Sequence, residues 1–163
     1  MCLLQKRPQD LPASTPLFSL TLLAYALISS VLAFPTQRGI AALMSGILET
    51  LLLLGITWIF LYLRSVPERL LQTCTALAGT GFMFSLFALP MFYWGLFLPD
   101  GPDTQATISL LVLILVIWNI SVMTHILRNA LSSSYLLGVT GSVAYIALIT
   151  FVLQTVFPVE GGM

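Results

Sequence analysis

Glu49 is the only charged residue between Arg38 and Arg64, and it sits in a long, predominantly apolar stretch. At a helical rise of roughly 1.5 Å per residue it falls about 15 Å along a helix starting near Ile40, close to the middle of a bilayer. An acid at that depth must face the protein interior, carry a proton, or both. Two chemistries fit it: a group that takes up and releases a proton, or an oxygen ligand for an ion. The plainer alternative is a buried acid that hydrogen-bonds a polar side chain on a neighbouring helix and sets helix register. Ala42, Ser45 and Gly46 precede it at helical spacing and form one small, close-packing face that ends in the acid.

A second group of polar residues follows Trp118: Asn119, Ser121, Thr124, His125 and Arg128. Ser121, His125 and Arg128 share a helix face by their i, i+4, i+7 spacing. A histidine there offers a switch or a proton carrier. The stronger reading is that His125 and Arg128 complement the dipole at the end of a helix and reach toward lipid headgroups. Asn119 lies deeper, where an amide is expected to hydrogen-bond another helix. Glu49, Asn119 and His125 are therefore the candidate intramembrane polar site.

Other chemistry is thinly represented. His125 is the only histidine, and Cys2 and Cys74 belong to no C-x-x-C pair, so no metal site and no cofactor are expected. Both thiols read as small fillers or incidental groups. Asp100, Gly101, Pro102 and Asp103 place two carboxylates in a turn, too few for calcium, and read as an acidic outer loop. No nucleophile elbow, metalloprotease motif or phosphate-binding glycine loop occurs, so no catalytic residues are assigned.

The elements that must position these residues are set by lipid. Apolar residues make up 58% of the 163-residue chain and charged residues 7%, far below the roughly 25% usual in soluble domains. The six basic residues form no patch, which argues against nucleic acid. The length suits one membrane domain. Backbone polar groups in hydrocarbon must pair internally, and the long runs do not alternate, so the fold class is all-α: a polytopic bundle of five transmembrane helices. The expected spans are about 17–34, 40–63, 70–90, 107–127 and 135–157, between a short tail at 1–16 and a tail at 158–163. Pro90 predicts a kink, or a stop followed by an interfacial segment at 91–98 that puts Tyr93 and Trp94 in the aromatic belt.

Helix starts are also legible. Ser65 and Glu68 have capping-box spacing, Asp103 and Thr104 supply acceptors before the fourth span, and the serines at 132–134 do so before the fifth. Small residues recur four apart at Ala26/Ser30, Ala42/Gly46, Ala76/Thr80 and Gly138/Ser142, as faces that let helices approach closely. Lys6, Arg7, Arg64, Arg69 and Arg128 fall on one side of the membrane, with Arg38 alone on the other beside Asp100, Asp103 and Glu160. That bias predicts a cytoplasmic N-terminus and an outside C-terminus in the cytoplasmic (inner) membrane. The first span loosely imitates a signal peptide, but its length and Pro-rich approach favour an uncleaved anchor.

The layout resembles the Yip-type membrane proteins, named for interaction with Rab GTPases, and their small bacterial relatives. The resemblance runs through Leu61, Tyr62, Leu63 and Arg64 into Arg69, Leu70, Leu71, Gln72 and Thr73. It continues through Leu115 to Asn119, Ile126 to Leu131, and Leu137, Gly138 and Val139. These pieces are soft apolar patterns with a few polar marks. The resemblance implies a non-enzymatic protein that binds other membrane proteins or shapes membrane traffic. The segment before the first span is too short to match the long cytosolic region of the eukaryotic members, so GTPase binding does not carry over.

The first functional expectation is thus a scaffold or partner-binding subunit, meeting other membrane proteins or a second copy of itself through helix faces at Gly46, Ala42, Gly138 and Ser142. The rival is a small transporter or proton-coupled permease subunit that uses Glu49, with an unidentified small-molecule substrate. Against the rival, five spans divide poorly into the two repeats common in transporters, although an oligomer could enclose a path.

Overall fold

The computed structural model describes residues 14–37, 39–97 and 101–158. The described residues form five α-helices: α1 (Thr15–Ala33), α2 (Ile40–Leu63), α3 (Leu70–Phe97), α4 (Pro102–Ala130) and α5 (Tyr135–Val156), with a 3-10 turn at Pro67–Arg69 ahead of α3. No strand occurs among the described residues. All five are long and apolar enough to cross a membrane. Lys6, Arg7, Arg38, Asp100, Glu160, Cys2 and most of the two tails lie outside the described residues.

Three boundaries differ from the sequence reading. Pro16 belongs to the first turn of α1, where proline's missing N–H would be unpaired anyway. Helix α3 does not stop at Pro90 but continues to Phe97, with Tyr93 and Trp94 inside it. A proline within a spanning helix is tolerated when neighbours and local adjustment satisfy the freed backbone groups. Helix α4 begins at Pro102, so Asp103 and Thr104 lie within its first turn, and its N-cap is Gly101 without a side-chain bond.

The caps correct one further expectation. Ser65 does not cap α3. It adopts φ +57° and ends α2, with Ser65 N–H donating to Tyr62 O and Val66 N–H to Leu61 O, both at 3.0 Å. This is a Schellman closure with serine in glycine's usual place. Ser132, at φ +46°, ends α4 in the same way, with Ser133 N–H donating to Arg128 O at 3.0 Å. Ser134 does cap α5, accepting from Leu137 N–H at 3.4 Å.

Around the bundle, α1 packs on α2 and α3, α3 on α4, α4 on α5, and α5 on α2, while α2 also touches α3. Helices α2, α5, α4 and α3 thus form a ring, and α1 lies in contact with the α2–α3 side. Arg69 Nη1 donates to Ala130 O (2.9 Å) and to Ser132 Oγ (2.8 Å), tying the α2–α3 connection to the α4–α5 connection at one end. Lipid supplies no hydrophobic drive between helices, so close packing must hold the bundle. Its centre mixes Leu53, Leu61, Val122, Ile126 and Leu127 with small Thr73, Thr124, Cys74 and Ser142. Several of these hydroxyls donate to a carbonyl one turn back, as Thr73 to Arg69 O and Ser142 to Gly138 O, both at 2.8 Å. Polar atoms are thereby satisfied locally, and the small side chains still permit close approach.

Candidate functional site

Two glycines set the position of α1. A Cβ on Gly46 would lie 2.6 Å from Ala26 O and 2.7 Å from Ser30 N, besides meeting Ser30 Oγ, so α1 and α2 touch at backbone range. A Cβ on Gly81 of α3 would lie 2.7 Å from Tyr25 Cε2, so the Tyr25 ring passes directly over that glycine. Held this way, Tyr25 Oη donates to Glu49 Oε1 at 2.6 Å, one turn beyond Gly46. Ser29 also lies within hydrogen-bond reach of the carboxyl group, and Tyr145 lines the same cavity. Tyr25 and Tyr145 are buried.

Glu49 lines a cavity of about 230 Å³ to which all five helices contribute. Tyr25, Asn119 and Tyr145 contribute its other strongly polar groups, with Thr80, Ser85 and Thr150 adding hydroxyls. Leu53, Leu77, Phe84, Met123, Ile146 and Ile149 complete the wall. By residue count every contributing group sits well inside its helix, about 9 Å or more from either end at 1.5 Å per residue. A shallower groove of about 180 Å³ between α3 and α4 shares Phe84, Ser85 and Asn119 with the cavity and runs on past Ala88, Leu115 and Val116. Trp118 backs this seam, edge-on to Phe84 with ring centroids 5.1 Å apart.

Of the residues singled out in the sequence, Glu49 and Asn119 come together at this cavity, and His125 does not line it. His125 lies further along α4, where its carbonyl accepts from Asn129 Nδ2 at 2.7 Å. The small residues lie inside the chain. Ala42 and Gly46 are buried, with Gly46 against α1, and a Cβ on Gly138 would lie 2.9 Å from Thr124 O of α4. Ser142 Oγ is 3.2 Å from Thr124 Oγ1 at the same crossing. Cys74 is fully buried. Among the described residues, no group of three His, Cys, Asp or Glu side chains gathers.

Tyr25 and Tyr145 are the site residues that sequence reasoning missed. A signal for them exists. Tyrosine favours the membrane interfaces, where its hydroxyl reaches water. Both residues stand midway along their spans, so each hydroxyl needs a partner inside the protein.

Fold and site together define a multi-pass helical membrane protein with a polar cavity deep in its bundle. No protein-family model, curated protein or solved structure matches the chain.

Proposed function

We propose that this is a non-enzymatic multi-pass protein of the cytoplasmic membrane that passes a small solute in exchange for a proton carried on Glu49. The observation behind this reading is the convergence of Glu49, Tyr25, Asn119 and Tyr145 on one mid-bundle cavity of about 230 Å³. A purely structural acid needs only a partner; here the partnered acid also lines open volume. The Tyr25–Glu49 pair suits proton exchange because it survives both states. A carboxylate accepts from the phenol O–H, and a protonated carboxyl can donate to the phenol oxygen instead. Arg64, Arg69 and Arg128 at one end of the bundle support the orientation with the N-terminus in the cytoplasm.

Proton movement driven by a gradient of mixed small solutes across proteoliposomes, followed with an entrapped pH dye, tests the reading. Glu49→Gln is expected to abolish it while helicity and monodispersity remain. Undiminished movement in that variant would remove Glu49 from the mechanism.

A second reading, partner binding in the manner of the Yip-type proteins, draws on helix α4. Only 11% of its most apolar window is buried within the chain, the lowest share of the five helices. Purification in gentle detergent with a stoichiometric membrane partner, unaffected by Glu49→Gln, would favour it.

A further inference from the structure

We propose that the solute taken by this cavity is a small organic monocation, an ammonium group on an apolar body; this rests on the solute-passing reading of the Glu49 cavity. Charge gives the first argument. Among the described residues, Glu49 is the only acid lining the cavity, and no Lys, Arg or His lines it. An anion would meet the carboxyl with no compensating charge, whereas one positive charge matches it.

The wall gives the second. Apart from the carboxyl, the acceptors are the two phenols, one amide and three hydroxyls, set among six apolar side chains. A bare inorganic cation needs a shell of oxygens on every side. An ammonium group needs acceptors on one side only, and its carbon body suits Leu53, Leu77, Met123 and Ile149. Tyr25, Phe84 and Tyr145 also line the cavity, and aromatic rings attract cations.

Size and access agree. A cavity of about 150 Å³ holds benzene, so 230 Å³ admits a cation of one ring or a short branched chain. The groove between α3 and α4 shares Phe84, Ser85 and Asn119 with the cavity as lining residues. Such a seam would admit an amphiphilic cation that has partitioned into the bilayer, without an aqueous channel.

Radiolabelled benzylamine, cationic at pH 7.5, is the probe, with benzyl alcohol and benzoate as neutral and anionic matches. Binding is measured to the intact protein in phosphatidylcholine nanodiscs, with empty nanodiscs subtracted. Saturable binding is expected, displaced by unlabelled benzylamine and by neither match. Glu49→Gln should weaken it about thirty-fold or more, as expected when one side of a buried charge pair is removed. Should that variant fail to fold, Ser85→Leu, which adds bulk at a residue lining both groove and cavity, is expected to abolish binding with the carboxyl intact. Absence of saturable binding, equal displacement by benzyl alcohol, or undiminished binding in Glu49→Gln would each overturn the proposal. Proton movement that is missing in the unaltered protein or undiminished in Glu49→Gln, measured separately, would bring down the solute-passing reading as well. Intact proton movement without benzylamine binding would overturn the cargo class alone.

Discussion

Gly46→Ala should loosen the bundle and break a hydrogen bond that it does not touch. The added Cβ would stand 2.6 Å from Ala26 O and 2.7 Å from Ser30 N. Both are backbone atoms, so no side chain can rotate away and α1 itself must retreat. Carbon–oxygen contacts settle near about 3.3 Å, which sets the retreat at roughly 0.7 Å. The Tyr25–Glu49 bond of 2.6 Å would then stretch to about 3.3 Å, past the range of a good O–H···O bond. Overpacking of this kind costs about 1–3 kcal/mol, against a gain of roughly 0.5–1 kcal/mol from replacing a helical glycine. Gly55 provides a control on the same helix, because a Cβ there has nothing within 4 Å. Gly55→Ala should therefore gain stability while Gly46→Ala loses it. Unfolding by SDS titration in mixed micelles, followed by tryptophan fluorescence, measures both. If the two variants shift in the same direction, the backbone-range crossing of α1 and α2 is wrong.

Tyr25→Phe keeps the ring over Gly81 and removes only the bond to Glu49, so it should cost about 0.6 kcal/mol, the mean for interhelical bonds in membranes. In that background the Gly46→Ala penalty should shrink, since part of it runs through the same bond, and the double variant read in the SDS titration would show less than additive loss. Ser65→Gly, at φ +57°, should stabilise the protein by about 0.5–1 kcal/mol by relieving a left-handed residue; an unchanged or lowered unfolding midpoint would contradict the Schellman closure of α2.

The helices were legible because hydropathy alone marks a long uncharged run, and lipid leaves the backbone no other way to pair its polar groups. Their ends were less so. Pro90 reads as a breaker by its missing N–H, yet α3 carries on to Phe97. Asp103 and Thr104 read as residues before a helix, yet Pro102 starts α4 ahead of them. Ser65 has the spacing of a capping box, and only the backbone shows that it closes the preceding helix. At the site, Glu49 and Asn119 stood out one at a time by their depth. That they meet, and that His125 lies elsewhere, depends on the order of helices around the bundle and the rotation of α4. Neither is written in a hydropathy profile. Tyr25 and Tyr145 were passed over because tyrosine counts as apolar in such a profile, although a mid-span hydroxyl is as much in need of a partner as a mid-span amide.

The structural and functional readings of Glu49 converge on α1. This helix touches α2 at Gly46 and α3 at Gly81, and both contacts leave no room for a Cβ. Its Tyr25 hydroxyl reaches Glu49 between those two crossings. A slip of α1 by one residue, about 1.5 Å along its axis with a turn of the helix face, would carry Tyr25 off Gly81 and away from the carboxyl. The hydrogen bond therefore reports the register of α1, and the register of α1 decides whether Glu49 lines the cavity partnered or alone. A change of charge on Glu49, by proton or by cation, alters the strength of the same bond. Packing and chemistry are coupled through one phenol, so a cargo that takes the place of Tyr25 on the carboxyl would at the same time free α1 to move over its two glycines.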